Sequence, residues 1–252
     1  MSGMSGQNLR RSVIAVALGL GLVCGATPML VSAQAAAGPV QETFSIGTSV
    51  NGRPLTVVHR AFPGATKKVV VIGSIHGDER AGQRVVRDLR TRALPRDVDL
   101  YLIRTVNPDG VYADRRTNAH HVDLNRNFPY QWAPSQPGTP TWSGPAKLSE
   151  PESQALRKFV LRLDPALIVV FHQPLFGVGA TGKAMPVVRA IARGIHLPVR
   201  SFNCGGRCTG TFTSWFNHRT HGLAVTVEFG ASASPLRIRL AARTMLSVGH
   251  DL

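Results

Sequence analysis

Short runs of apolar, β-branched residues recur along this chain, separated by longer stretches of mixed polarity. Lys68 to Ile75, Val98 to Arg104, Ala166 to Phe171 and Leu223 to Phe229 each read as a strand. The apolar character of the first, third and fourth marks strands covered on both faces. Pro54 to Arg60 reads as a further strand, entered from an Asn51-Gly52 turn. Residues 37–50 are read as a leader into the fold. Between the strands, Asp78 to Arg92 predicts a helix with Val85, Val86 and Leu89 on one face. A second helix is predicted from Ser149-Glu150-Pro151-Glu152 to about Leu163, with Ser149 as its N-cap. Residues 184–195, Thr211 to Asn217, and Leu236 to Val248 complete the helices. Strands alternating with helices predict an α/β fold, a three-layer sandwich whose central sheet is mixed and mostly parallel. From Asn107 to about Leu148 the periodicity is lost. A loop of that length inside a compact domain is usually functional.

The first residues follow a different pattern. Arg10-Arg11 precede an uncharged apolar run from Ser12 to Val31, and Ala33-Gln34-Ala35 follows. This is the layout of a secretory signal, so residues 1–35 are read as a signal peptide and 36–252 as one catalytic domain. Gly19, Gly21, Gly25 and Pro28 interrupt the run, which speaks against a retained membrane anchor. The expected location is secreted or periplasmic, in the cell-wall space. Cys204 and Cys208 remain after cleavage, and in an exported protein they are expected to form a disulfide. Of the 252 residues 43% are hydrophobic and 17% charged, as in a globular domain. Losing Arg10 and Arg11 lowers the formal net charge from +15 to +13. Such a charge suits an anionic partner, an acidic cell wall being the one expected here. The Lys and Arg residues are scattered and no aromatic base-stacking pattern accompanies them, so a nucleic-acid reader is not expected. A monomer is expected.

Candidate chemistry sits where apolar strands end. His76 follows the run Val69 to Ile75, His172 follows Leu167 to Phe171, and Glu228 stands inside an otherwise apolar strand. Ligand sites in open α/β sheets form at the carboxyl ends of the strands. A lone carboxylate in a buried strand is costly unless it belongs to such a site. His76 and Glu79, three apart, and His172 would give zinc three protein ligands, one ion per chain, with a position left for water. A further carboxylate could take the water's proton.

With its other motifs the chain resembles the zinc carboxypeptidase family. His76-x-x-Glu79 is followed by Asn107-Pro108-Asp109-Gly110, by Asp123-Leu124-Asn125-Arg126-Asn127-Phe128-Pro129, by His172 and by Glu228, in that order over residues 68–230. The resemblance implies that His76, Glu79 and His172 bind zinc and that Glu228 is the general base. It implies that Arg116 steadies the oxyanion and that Asn125 and Arg126 hold the substrate's terminal carboxylate. Asp123 would orient His76 from behind, while Asp109 reads as a turn residue. Size, motif spelling and export signal are most similar to the murein peptide amidase branch, which cuts between D-glutamate and diaminopimelate. The alternatives are a general metallocarboxypeptidase, an N-acyl amino acid deacylase on the same scaffold, and a catalytically silent wall-binding protein. One departure stands out. Better-known carboxypeptidases carry a loop tyrosine some twenty residues before the catalytic glutamate, and residues 201–215 contain none.

Overall fold

A computed structural model describes residues 38–179, 182–203 and 208–252. The proposed signal peptide and Cys204 lie outside these residues. The strands are β1 (Val40–Thr48), β2 (Pro54–Ala61), β3 (Lys67–Ile72), β4 (Val98–Ile103), β5 (Leu167–His172), β6 (Gly177–Gly179) and β7 (Leu223–Glu228). The helices are α1 (Ala81–Leu89), α2 (Pro108–Ala113), α3 (Pro151–Leu163), α4 (Met185–Ile195), α5 (Phe212–Arg219) and α6 (Pro235–His250).

Among the described residues the seven strands form one sheet in the order β1-β2-β4-β3-β5-β7-β6. The four central strands β4, β3, β5 and β7 are parallel. β2 pairs antiparallel with β1 and β4, and β6 pairs antiparallel with β7. The sheet is therefore mixed and mostly parallel. Alternation along each central strand sends side chains to both faces. Val69 and Val71 of β3 pack with α1, α4 and α6, together with Leu100, Val169 and Val225. Val70 and Ile72 face the other way, with Ile168, Val170, Leu156 and Val160 of α3, and Phe212 and Phe216 of α5. Each such buried side chain contributes about 2 kcal/mol, and two covered faces make the three layers.

Three expectations need correction here, and one strand, β6, was not expected. Residues 40–48 are not a leader but the edge strand β1; most of its exposed residues are polar, and Phe44 and Ile46 pack inward beside Phe159 of α3. β6, three residues with two glycines, carries no hydrophobic period. The stretch 107–148 is mostly loop but includes α2 and a single turn at Leu124–Arg126. The N-cap of α3 is Glu150 and not Ser149, whose hydroxyl donates to Glu150 Oε1 at 2.7 Å.

Candidate metal centre and substrate cleft

The chain leaves β3 at Ile72 and turns through residues 73–80 before α1 begins at Ala81. This loop, rather than a helix starting at Asp78, carries His76 and Glu79. Gly77 lets it lie directly on α2: a Cβ there would come within 2.0 Å of the Gly110 carbonyl carbon. The backbone pinned by this contact turns both side chains inward over the end of the sheet. His172 is the last residue of β5, and its register partner in β7 is Glu228.

His76, Glu79 and His172 are buried and converge. His76 Nδ1 lies 2.7 Å from Glu79 Oε1, and His172 Nδ1 lies 2.9 Å from Glu79 Oε2. The two Nδ1 atoms are 3.3 Å apart. Behind them, His76 Nε2 lies 3.0 Å from Asp123 Oδ1. Burial opposes ionisation of Asp123, but His76 and Arg116 outweigh it and hold the carboxyl well below its ordinary range. An ionised carboxylate only accepts, so His76 Nε2 carries a proton. Its Nδ1 faces a Glu79 oxygen, the His172 Nδ1 and, at 3.3 Å, Arg116 Nη1. Electron-pair donors this close need a proton or a metal ion between them. The same demand shows in the basicity of His76: burial disfavours the charged ring, yet Asp123 and Glu79 raise it to about 9. Two imidazoles and one carboxylate are a donor set that fits zinc.

Arg116 and Arg126 are held differently. Arg116 donates from Nε at 3.1 Å and Nη2 at 2.7 Å to Asp123 Oδ2. Its Nη1 extends to the centre, 3.6 Å from Glu79 Oε1. Arg126 donates only to the Asn125 carbonyl, at 2.8 Å. Among the described residues no carboxylate lies within ion-pair distance of it. Burial disfavours its charge and Asp123 favours it, with burial the larger effect. Beside it, Asn125 Oδ1 accepts the Phe212 N–H at 3.0 Å, which leaves its amide nitrogen for the cleft. An uncommitted guanidinium beside an amide donor suits a ligand carboxylate.

Glu228 is 8% exposed, and its Oε2 accepts the Leu175 N–H at 3.3 Å. Burial raises its pKa, with His172 and the Leu175 N–H pulling the other way. Together with His76, Glu79, Arg116, Asn125, Arg126 and His172 it lines one cleft of about 240 Å³. Residues far apart in sequence thus meet in one place, with Asp123 directly behind them. Cys208 also lines the cleft, while its expected partner Cys204 lies outside the described residues. Asp109, read as a turn residue, instead lies in the first turn of α2, where its side chain accepts the Asn51 N–H at 3.0 Å and Arg53 Nη1 at 2.6 Å, a structural role. His120 Nδ1 lies 2.8 Å from Glu150 Oε2, outside the cluster of metal-facing groups.

Sequence reasoning missed Gln173. Its Oε1 accepts the Ala81 N–H at 2.8 Å, and its Nε2 donates to the Gly230 and Ala231 carbonyls at 3.1 and 2.9 Å. It thereby ties the start of α1, next to Glu79, to the segment that leaves Glu228. The available signal was a polar residue directly after the strand-end histidine. Thr213, Ser214 and Thr226 of the cleft wall were also missed; nothing in their pattern sets them apart.

The family model described as zinc carboxypeptidase matches residues 29–173, more than half of the chain. The chain belongs to the zinc carboxypeptidase family. The match contains His76, Glu79, Arg116, Asp123, Asn125, Arg126 and His172, and ends before Glu228. This zinc carboxypeptidase is similar to murein peptide amidase A of Escherichia coli K12, 30% identical over 186 residues, 69% of this chain and 75% of that protein. The Vibrio campbellii protein of that name is 29% identical over 210 residues, 77% of this chain and 82% of the other. Among solved structures, a murein-tripeptide amidase from Escherichia coli O157 aligns with TM-score 0.66 at 28% identity, covering 84% of this chain and 93% of that one. Carboxypeptidase A of Helicoverpa armigera aligns with TM-score 0.70 over 84% of this chain and 68% of the other; at 17% identity it is a likeness of fold. Family and donor set together make the protein a zinc metallopeptidase with one zinc per chain.

Proposed function

We propose that this enzyme is exported and hydrolyses the amide bond between D-glutamate and diaminopimelate in peptidoglycan peptides, a bond next to a free carboxylate. The observation that carries the reading is the uncommitted Arg126 guanidinium in the same cleft as Glu228 and the metal-facing groups. The names of the relatives support the choice of murein peptides. In this reading His76, Glu79 and His172 hold the zinc. Bound there, zinc supplies a Lewis acid for the scissile carbonyl and makes water acidic enough to attack near neutral pH.

The chain's own residues do the rest. Arg126 and the Asn125 amide hold the terminal carboxylate and so set which bond lies over Glu228. Glu228, poised by burial toward a higher pKa, takes the proton from the attacking water and returns it to the leaving amine. Arg116 directs Nη1 at the charge that grows on the carbonyl oxygen, and Asp123 keeps that guanidinium and His76 in place. Removal of residues 1–35, a Cys204–Cys208 disulfide, a monomeric state and a location in the secreted or periplasmic space belong to the same proposal. The mature charge of +13 favours approach to an anionic wall.

The test compares the mature protein with its Glu228→Gln variant on a tripeptide ending in γ-D-glutamyl-diaminopimelate, with and without chelator. The unaltered, zinc-loaded protein is expected to cleave it, the chelated protein not, and the variant roughly a thousandfold more slowly. Cleavage of ordinary C-terminal peptides alone would overturn the amidase reading in favour of a general carboxypeptidase.

A further inference from the structure

Beyond Arg126 the cleft continues into a recess whose lining takes no part in the mechanism above. Because Asn125 accepts the Phe212 N–H, the first turn of α5 stands beside the carboxylate clamp. Gly210 makes this approach possible. Its φ is +60°, and a Cβ there would lie 2.2 Å from the Arg126 carbonyl oxygen. A substrate residue whose carboxylate rests on Arg126 therefore lays its side chain against α5 and β7.

The groups waiting there are hydroxyls. Thr213 and Ser214 on α5 and Thr226 on β7 line the recess, and the Thr226 and Thr213 hydroxyls are 3.2 Å apart. Thr226 lies two residues before Glu228, on the same face of the strand. Among the described residues, the carboxylates lining the cleft are Glu79 and Glu228, both at the metal-facing end. No anion is present deeper in the recess to pair with a cationic side chain.

Arg200 closes the edge. Its N–H donates to the Val178 carbonyl at 2.9 Å, which lays the chain along β6. Its stem crosses Gly177, the register partner of Glu228: a Cβ on Gly177 would sit 2.8 Å from Arg200 Cγ and Cδ. Cross-strand partners present their side chains to the same face, so the Arg200 stem runs on the face that carries Glu228. The guanidinium is exposed, and among the described residues no carboxylate lies within ion-pair distance of it.

We propose that Arg200, with Thr213, Ser214 and Thr226, selects a leaving amino acid whose side chain ends in a carboxylate. The hydroxyls accept hydrogen bonds from an ammonium group carried beside that carboxylate. An aliphatic or aromatic end would offer these hydroxyls and Arg200 no hydrogen-bond partner, and a lysine end would meet Arg200 with like charge. The inference deepens the amidase reading, since diaminopimelate carries such an end, and rests on that reading for its preferred substrate.

The test uses two substrate series on the zinc-loaded mature protein. One is γ-D-glutamyl dipeptides ending in diaminopimelate, 2-aminopimelate, lysine or norleucine. The other is ordinary blocked peptides ending in 2-aminoadipate, lysine or phenylalanine. In whichever series is cut, kcat/KM is expected to be about tenfold higher for carboxylate-ended residues than for lysine. Arg200→Gln should bring that ratio close to one at unchanged Tm. Thr213→Val with Thr226→Val should favour norleucine or phenylalanine instead. An unaltered enzyme that prefers lysine or phenylalanine, or an Arg200→Gln variant that keeps the ratio, overturns the inference. Cleavage of the ordinary series alone overturns the amidase reading, and the selectivity is then read there. Where turnover is too slow, calorimetric binding of the same peptides to Glu228→Gln must reproduce the order, and equal binding counts against it.

Discussion

Arg116 and Arg126 have the same side chain, and their partners separate their roles. Arg116 is fastened by two nitrogens to Asp123, whereas among the described residues the Arg126 guanidinium holds only a neighbouring carbonyl. Asp123 is thus the hinge of the centre, because it also holds the proton on His76 Nε2. Asp123→Ala is expected to weaken zinc binding by about 10- to 100-fold, measured by competition with a chelator. Unchanged affinity would mean that packing alone orients the ring. A second residue prediction concerns Glu152, buried at the start of α3. Burial raises its pKa, against hydrogen bonds from the Val50 N–H and Asn118. A carboxyl raised in the folded state contributes stability that is fully present below its unfolded pKa. That stability is lost as pH rises through the folded value. Tm measured upward from pH 4 should therefore show a destabilising contribution in the unaltered protein that Glu152→Gln lacks. Identical pH dependence in the two proteins would refute it.

At the scale of elements, the central strands were legible because a strand buried on both faces has no polar positions to interrupt it. The edge strands were not. β1 faces solvent along most of its length, and β6 is too short to show a period. Helix starts were misjudged for a similar reason: an acid near a helix start also fits the helix dipole. That made Glu79 look like part of α1 when it belongs to the loop before it. The loop owes its course to its neighbour, which leads to a prediction. Gly77→Ala must displace the Gly110 backbone, and should cost about 1–3 kcal/mol. It should lower zinc affinity as well, since His76 and Glu79 flank the altered residue. Denaturant unfolding and metal titration of the variant check both. A variant as stable as the parent with full affinity would show that the loop can yield.

At the scale of the whole molecule, the ends of β3, β5 and β7 are held in register by one sheet, and the metal-facing groups come from two of them. Zinc binding is therefore coupled to folding. Chelation is expected to abolish turnover and lower Tm, and returning zinc to restore both. At a zinc concentration a hundred times Kd the stabilisation is about 2.7 kcal/mol. A metal-free protein with unchanged Tm and activity would contradict the assignment of the centre.

The chain by itself determined where the central strands and most helices lie along it, and singled out His76, Glu79, His172 and Glu228 as candidates. An apolar run shows where a strand lies, and a polar residue in or after it shows where costly chemistry could sit; the roles came from the family resemblance. Which arginine stays uncommitted, how Asp123 holds the proton on His76 Nε2, and which hydroxyls line the cleft were decided only by the tertiary structure. They depend on strand register and on contacts such as Asn125 with Phe212 and Gly77 with Gly110, between residues that no local pattern connects.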